Sequence, residues 1–111
     1  MMKQEGKPML VKPATINEVI GSCVQGSVTI AYEDLVRIFG EPDTDHLDFS
    51  GVSHQWMISI NNLPLTIYDY TVNGRKVEDY AWHIGGKTGF VLDALKKVLS
   101  AANVSFTVTK D

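Results

Sequence analysis

The sequence predicts an α+β domain: an antiparallel β-meander of about four to five strands, with a C-terminal helix packed on one face and one or two short N-terminal helices. Three observations carry this expectation. Between positions 55 and 84 apolar and polar residues alternate with the period of a strand, and turn signals interrupt the alternation twice. From position 88 the period becomes helical, with Phe90, Val91, Ala94, Leu95, Val98, Leu99 and Ala102 on one stripe. Upstream, two stretches carry helix-start and helix-stop residues on either side of a short β-branched run.

Taken in order, residues 1–12 have no clear period and read as an N-terminal tail or edge segment, which leaves 13–111 as a single domain. Thr15-Ile16-Asn17-Glu18 is a capping-box pattern: the Thr15 side chain accepts from the third residue on, and Glu18 reaches back. It opens a short helix over 16–20 that stops at Gly21. Val28-Thr29-Ile30-Ala31 is β-branched and reads as a short strand. A helix over 33–39 follows, with Glu33 and Asp34 at the positive end of its dipole and Leu35, Val36 and Phe39 on one face. Gly40 and Pro42 end it. Residues 41–51 form an acidic loop.

A strand over 55–61 alternates Trp56, Ile58 and Ile60 with Gln55, Met57 and Ser59. Asn61-Asn62-Leu63-Pro64 reads as a turn. A second strand over 65–71 sets Leu65 and Ile67 opposite Thr66, Tyr68 and Tyr70, and Asn73-Gly74 is a hairpin turn signal. The third strand covers about 79–84. Gly85-Gly86-Lys87-Thr88 leads into the long helix with Thr88 as its N-cap, Asp93 and Lys97 pair at i,i+4, and Asn103 ends it. Residues 104–109 alternate as a last short strand.

With 111 residues there is room for one domain, and 44% hydrophobic against 21% charged residues is ordinary for a globular chain. A single cysteine, Cys23, closes no internal disulfide. No apolar run approaches the ~20 residues of a membrane span, and the polar start lacks a signal-peptide core. The expected compartment is the cytoplasm, with no membrane association. The net charge of −3, with no basic cluster longer than Lys96-Lys97, argues against a nucleic-acid partner, because phosphate neutralisation needs a basic surface. Strand edges left exposed make a homodimer possible.

Two constellations can carry function. Trp82-His83-Ile84-Gly85-Gly86-Lys87-Thr88 is a strand, two glycines, a lysine and a helix start. Free amides at a helix N-terminus attract anions, and glycines let a ligand approach. The same residues also read as a plain strand-to-helix turn with Lys87 solvated. Ala81 stands where a Walker A loop needs glycine. The second constellation is Tyr68, Asp69, Tyr70, Tyr80, Trp82 and His83, either a wall that stacks a flat ligand or anchors a protein, or a core residue, Trp82, rimmed by tyrosines. The acidic loop with Asp43, Asp45, His46 and Asp48 fails the EF-hand register, since Leu47 and His54 fall at ligand positions. His46, His54 and His83 have no zinc-like spacing, and no nucleophile-elbow or paired-carboxylate pattern occurs, so neither metal, cofactor nor enzymatic activity is expected.

Four segments in fixed order carry a resemblance: Val28-Thr29-Ile30-Ala31-Tyr32-Glu33-Asp34-Leu35-Val36-Arg37-Ile38-Phe39-Gly40-Glu41-Pro42, Trp56-Met57-Ile58, Thr66-Ile67-Tyr68-Asp69-Tyr70, and Trp82-His83-Ile84-Gly85-Gly86. The chain resembles a group of small uncharacterised phage-encoded proteins with DLVxxFGEP, TIYxY and WHIGG motifs, over about residues 25 to 90. The resemblance implies a phage origin and expression in a bacterial host. It suggests, by analogy with small early phage proteins, an inhibitor of a host defence protein. The alternative is a sponge that sequesters a nucleotide-type signal, with Gly85, Gly86, Lys87 and Thr88 on the anionic group and Tyr68, Tyr70, Trp82 or His83 stacking on the base.

Overall fold

The computed structural model describes residues 10–43, 54–69 and 80–110. Tyr70, the Asn73-Gly74 turn and the loop residues Asp45, His46 and Asp48 lie outside them. The order of elements is β1 (Val11–Pro13), α1 (Ile16–Val19), β2 (Cys23–Ile30), α2 (Tyr32–Phe39), β3 (Gln55–Ile60), β4 (Leu63–Tyr68), β5 (Tyr80–Gly86), α3 (Phe90–Ala101) and β6 (Thr107–Lys110). The strands form one six-stranded sheet in the order β1-β3-β4-β5-β2-β6, antiparallel at every step. The α+β class and the C-terminal helix are as expected, and the strand count exceeds the expected four to five. Only β3-β4-β5 is a meander, because β2 inserts between β5 and β6.

Tertiary pairing explains most of the differences in boundary. Val11 and Lys12, in the segment that reads as a tail or an edge segment, form edge strand β1 on β3. The Leu10 carbonyl accepts from Asn61 N–H at 2.8 Å, and Asn61 Oδ1 accepts from Leu10 N–H at 2.8 Å. The hairpin turn is only Asn61-Asn62, both at positive φ (51° and 67°), the pattern of a tight two-residue hairpin. Leu63 and Pro64 therefore belong to β4. Proline is tolerated there because β5 pairs only with residues 65 to 68 of β4, so no donor is needed on that side of Pro64.

β2 begins at Cys23 rather than at Val28 because residues 23 to 27 are held by β5 and β6 rather than by their own propensity. A bulge between Val24 and Gly26 accommodates one extra residue, and the Gln25 side chain donates to the Gly86 carbonyl at 2.9 Å. Gly26 is required here: a Cβ would collide with the Thr109 carbonyl and sit 3.2 Å from Leu92.

The alternation of β3, β4, β5 and β2 directs Trp56, Ile58, Ile60, Leu65, Ile67, Trp82, Ile84, Val28 and Ile30 to one face. That face is the core, closed by Leu35 of α2 and by Val91, Leu92, Leu95, Val98 and Leu99 of α3. The α3 stripe is rotated from the expected one. Leu92 replaces Phe90, which lies well off the buried arc and is 72% exposed. Gly89 rather than Thr88 is the N-cap residue, with no side-chain cap. Thr88 still serves the first turn through its carbonyl, which accepts from Val91 N–H at 3.3 Å.

The capping box is realised: Thr15 N–H donates to Glu18 Oε1 at 2.9 Å, and Thr15 Oγ1 accepts from Glu18 N–H at 3.3 Å. The Thr15 backbone N–H foremost, and then the Thr15 hydroxyl, which donates to Glu18 Oε1 at 3.1 Å, hold the Glu18 carboxyl below its ordinary value. α1 contacts β4, and its Val19 is buried apart from the main core.

Candidate functional site

Strand alternation splits the predicted site residues between two faces. Trp82 points into the core, is fully buried, and donates its indole N–H to the Ile30 carbonyl at 3.1 Å. Trp56 meets it edge-on with centroids 5.3 Å apart, and Tyr32 stacks on it at 6.1 Å. The expectation that Trp82 faces a ligand is therefore corrected. Its neighbours in β5 give it the core side of the pleat, and the indole has its partner inside.

His83, one residue on, points to the opposite face. There the register sets up a row across the sheet: Gln55 beside Tyr68, Tyr68 beside His83, His83 beside Ser27, and Ser27 beside Thr109. Tyr68 and His83 are half-buried, and their rings stack with centroids 5.4 Å apart and planes 28° from parallel. Such a directly opposed aromatic pair is a stabilising cross-strand contact that leaves polar atoms at its rim.

Gly85 and Gly86 are strand residues, each paired with β2 on one side and β4 on the other. Each is glycine for a different steric reason. A Cβ on Gly86 would lie 2.7 and 2.8 Å from the two methyls of Val91, where α3 presses on the core face. A Cβ on Gly85 would lie 2.5 Å from Thr66 Oγ1 and 3.7 Å from the Tyr68 ring on the second face. The expectation of free amides at Gly85 and Gly86, cradling an anion, is thus corrected: the backbone of both lies within the ladder, and the Gly86 carbonyl is taken by Gln25. Of the predicted cradle, Lys87 is exposed, while the half-buried Thr88 accepts from Phe90 N–H through its hydroxyl at 3.4 Å.

Asp69 has a different place from the one expected. It is fully buried at the end of β4, where Oδ1 accepts from His54 N–H at 3.0 Å and Oδ2 lies 3.1 Å from His54 Nδ1. Asp69 N–H donates to the His54 carbonyl at 3.2 Å. The carboxylate clasps the open end of the β3-β4 hairpin, and Tyr32 packs edge-on against the His54 ring at 5.6 Å. Sequence spacing gave no sign of His54 as its partner, because the two are brought together only by the hairpin register.

Of the predicted residues, the structure thus groups Tyr68, His83 and Gly85 on one face, and places Trp82 and Gly86 on the other. Among the described residues no group of three or more His, Cys, Asp or Glu side chains gathers to hold a metal. No described helix is long and apolar enough to cross a membrane. Comparison with protein-family models, with curated proteins and with solved structures gives no match.

Proposed function

We propose that this chain is a phage-encoded, non-catalytic binding protein that blocks a protein of the bacterial host, a defence factor, in the host cytoplasm. The observation that carries the binding reading is the half-exposed Tyr68–His83 stack, set on the sheet face away from the core. Aromatic side chains held rigid by a sheet lose little entropy on association, and tyrosine is a frequent anchor at protein interfaces. Ser27 and Thr109 continue the row as polar flanks, while Gln55 at its other end is buried. The phage origin and the host target rest on the motif resemblance.

The sponge reading loses its anion cradle once Gly85 and Gly86 are ladder residues. A nucleotide would have to stack on Tyr68 and His83 alone. The test is retention of host-lysate proteins on immobilised chain, compared with a Tyr68→Ala/His83→Ala double variant of equal melting temperature. The reading predicts one retained protein that the double variant releases. Retention unaffected by the double substitution sinks this surface, and calorimetric binding of a nucleotide with no retained protein would favour the sponge.

A further inference from the structure

The two outer strands of the sheet are built differently. β1 is three residues long and contains Lys12 and Pro13. Proline offers no N–H, and an edge lysine discourages further pairing. β6, Thr107–Lys110, has no proline and no bulge, and it pairs only with β2. Among the described residues, no strand receives the backbone groups of its outer rim.

On the core side of that rim, a groove of about 330 Å³ between α3 and β6 is lined by Phe90, Leu92, Asp93, Lys96, Val108 and Lys110 among others. Phe90 is the most exposed large apolar side chain among the described residues. Asp93, Lys96 and Lys110 make no ion pair among the described residues. Asp93 and Lys96, of opposite sign and one turn apart on α3, can pair reciprocally across a twofold axis.

We propose that β6 pairs antiparallel with β6 of a second copy of this chain, about a twofold axis near Val108. The two sheets then join into one, and the α3 helices lie side by side across the axis with Asp93 of each copy facing Lys96 of the other. Phe90 and Val108 supply apolar contact. A specific interface buries about 800 Å² per partner, so the short ladder needs this helix contact to complete it. An unrelated strand would satisfy the rim but would leave the mixed charges of the groove unused. The proposal stands apart from the binding reading above. The axis also leaves Tyr68 and His83 of both copies on the same side of the joined sheet, which makes that surface bivalent.

Sedimentation equilibrium of the full chain tests this. The wild type is expected to dimerise. Asp93→Lys is expected to weaken the dimer tenfold or more, with the circular dichroism spectrum unchanged. Asp93→Lys/Lys96→Glu is expected to recover it, because the swap restores opposite signs across the axis. A chain that stays monomeric at every concentration overturns the proposal. So does a dimer indifferent to Asp93→Lys, or one that the charge swap does not recover.

Discussion

Trp82 and His83 are neighbours in β5, yet they belong to different parts of the molecule. Trp82 sits in a core of Trp56, Ile67, Ile84 and the leucines of α3, with its one polar atom bonded to the Ile30 carbonyl. His83 stacks on Tyr68 on the opposite face, which Thr66 and Gly85 share. The same division separates Gly86, which lets Val91 of α3 press on the strand, from Gly85, which lies against Thr66 and Tyr68. A short motif that reads as one unit in sequence is thus two interleaved sets. One set specifies the packing and the other builds a surface.

Substitutions on either side of the pleat test that division. The largest effect is expected on the core face. Trp82→Ala removes a fully buried indole and its hydrogen bond, and should lower the unfolding free energy in urea by about 4 kcal/mol. Gly86→Ala drives a methyl into the Val91 side chain, held between helix and sheet, and should cost about 2 kcal/mol. Gly85→Ala drives a methyl against the Thr66 hydroxyl, 2.5 Å away, and should cost a similar amount. If both substitutions prove neutral, the close packing assigned to these two glycines is wrong.

Away from β5 the expected effects are smaller. Thr15→Ala removes the hydroxyl that accepts from Glu18 N–H, one half of the capping box of α1, and should cost about 1 kcal/mol, seen as a lower melting temperature. The Glu18 carboxyl is more acidic folded than unfolded, so its stabilisation is present above the ordinary glutamate range and fades as pH falls through the lowered value. Glu18→Gln should flatten that part of the acid limb of a stability–pH curve. Ser59, on the second face, is 1% exposed, and its hydroxyl has no hydrogen-bond partner among the described residues. Ser59→Ala should change stability by less than about 1 kcal/mol, neutral or in the stabilising direction.

Much of this architecture was legible from residue pattern. The capping box, the alternation of Trp56, Ile58 and Ile60, and the long apolar helix are local signals, and local physics fixes them. What was not legible depends on partners distant in sequence. The first half of β2 has little strand propensity and exists because β5 and β6 flank it. The role of Gly85 and Gly86 is invisible until Thr66 and Val91 are brought against them. Alternation placed Trp82 and His83 on opposite faces but did not say which face the helices cover. The Asp69–His54 clasp needed the hairpin register. Of the residues that the sequence groups, Tyr68 and His83 lie side by side on one face, while Trp82 and Gly86 face the core.

The most direct measurement is the broadening of assigned ring-proton signals by a water-soluble nitroxide in nuclear magnetic resonance. The two-face account predicts that His83 and Tyr68 signals broaden while Trp82 and Trp56 signals stay sharp. Broadening of Trp82 with His83 protected, or equal broadening of all four, would contradict it.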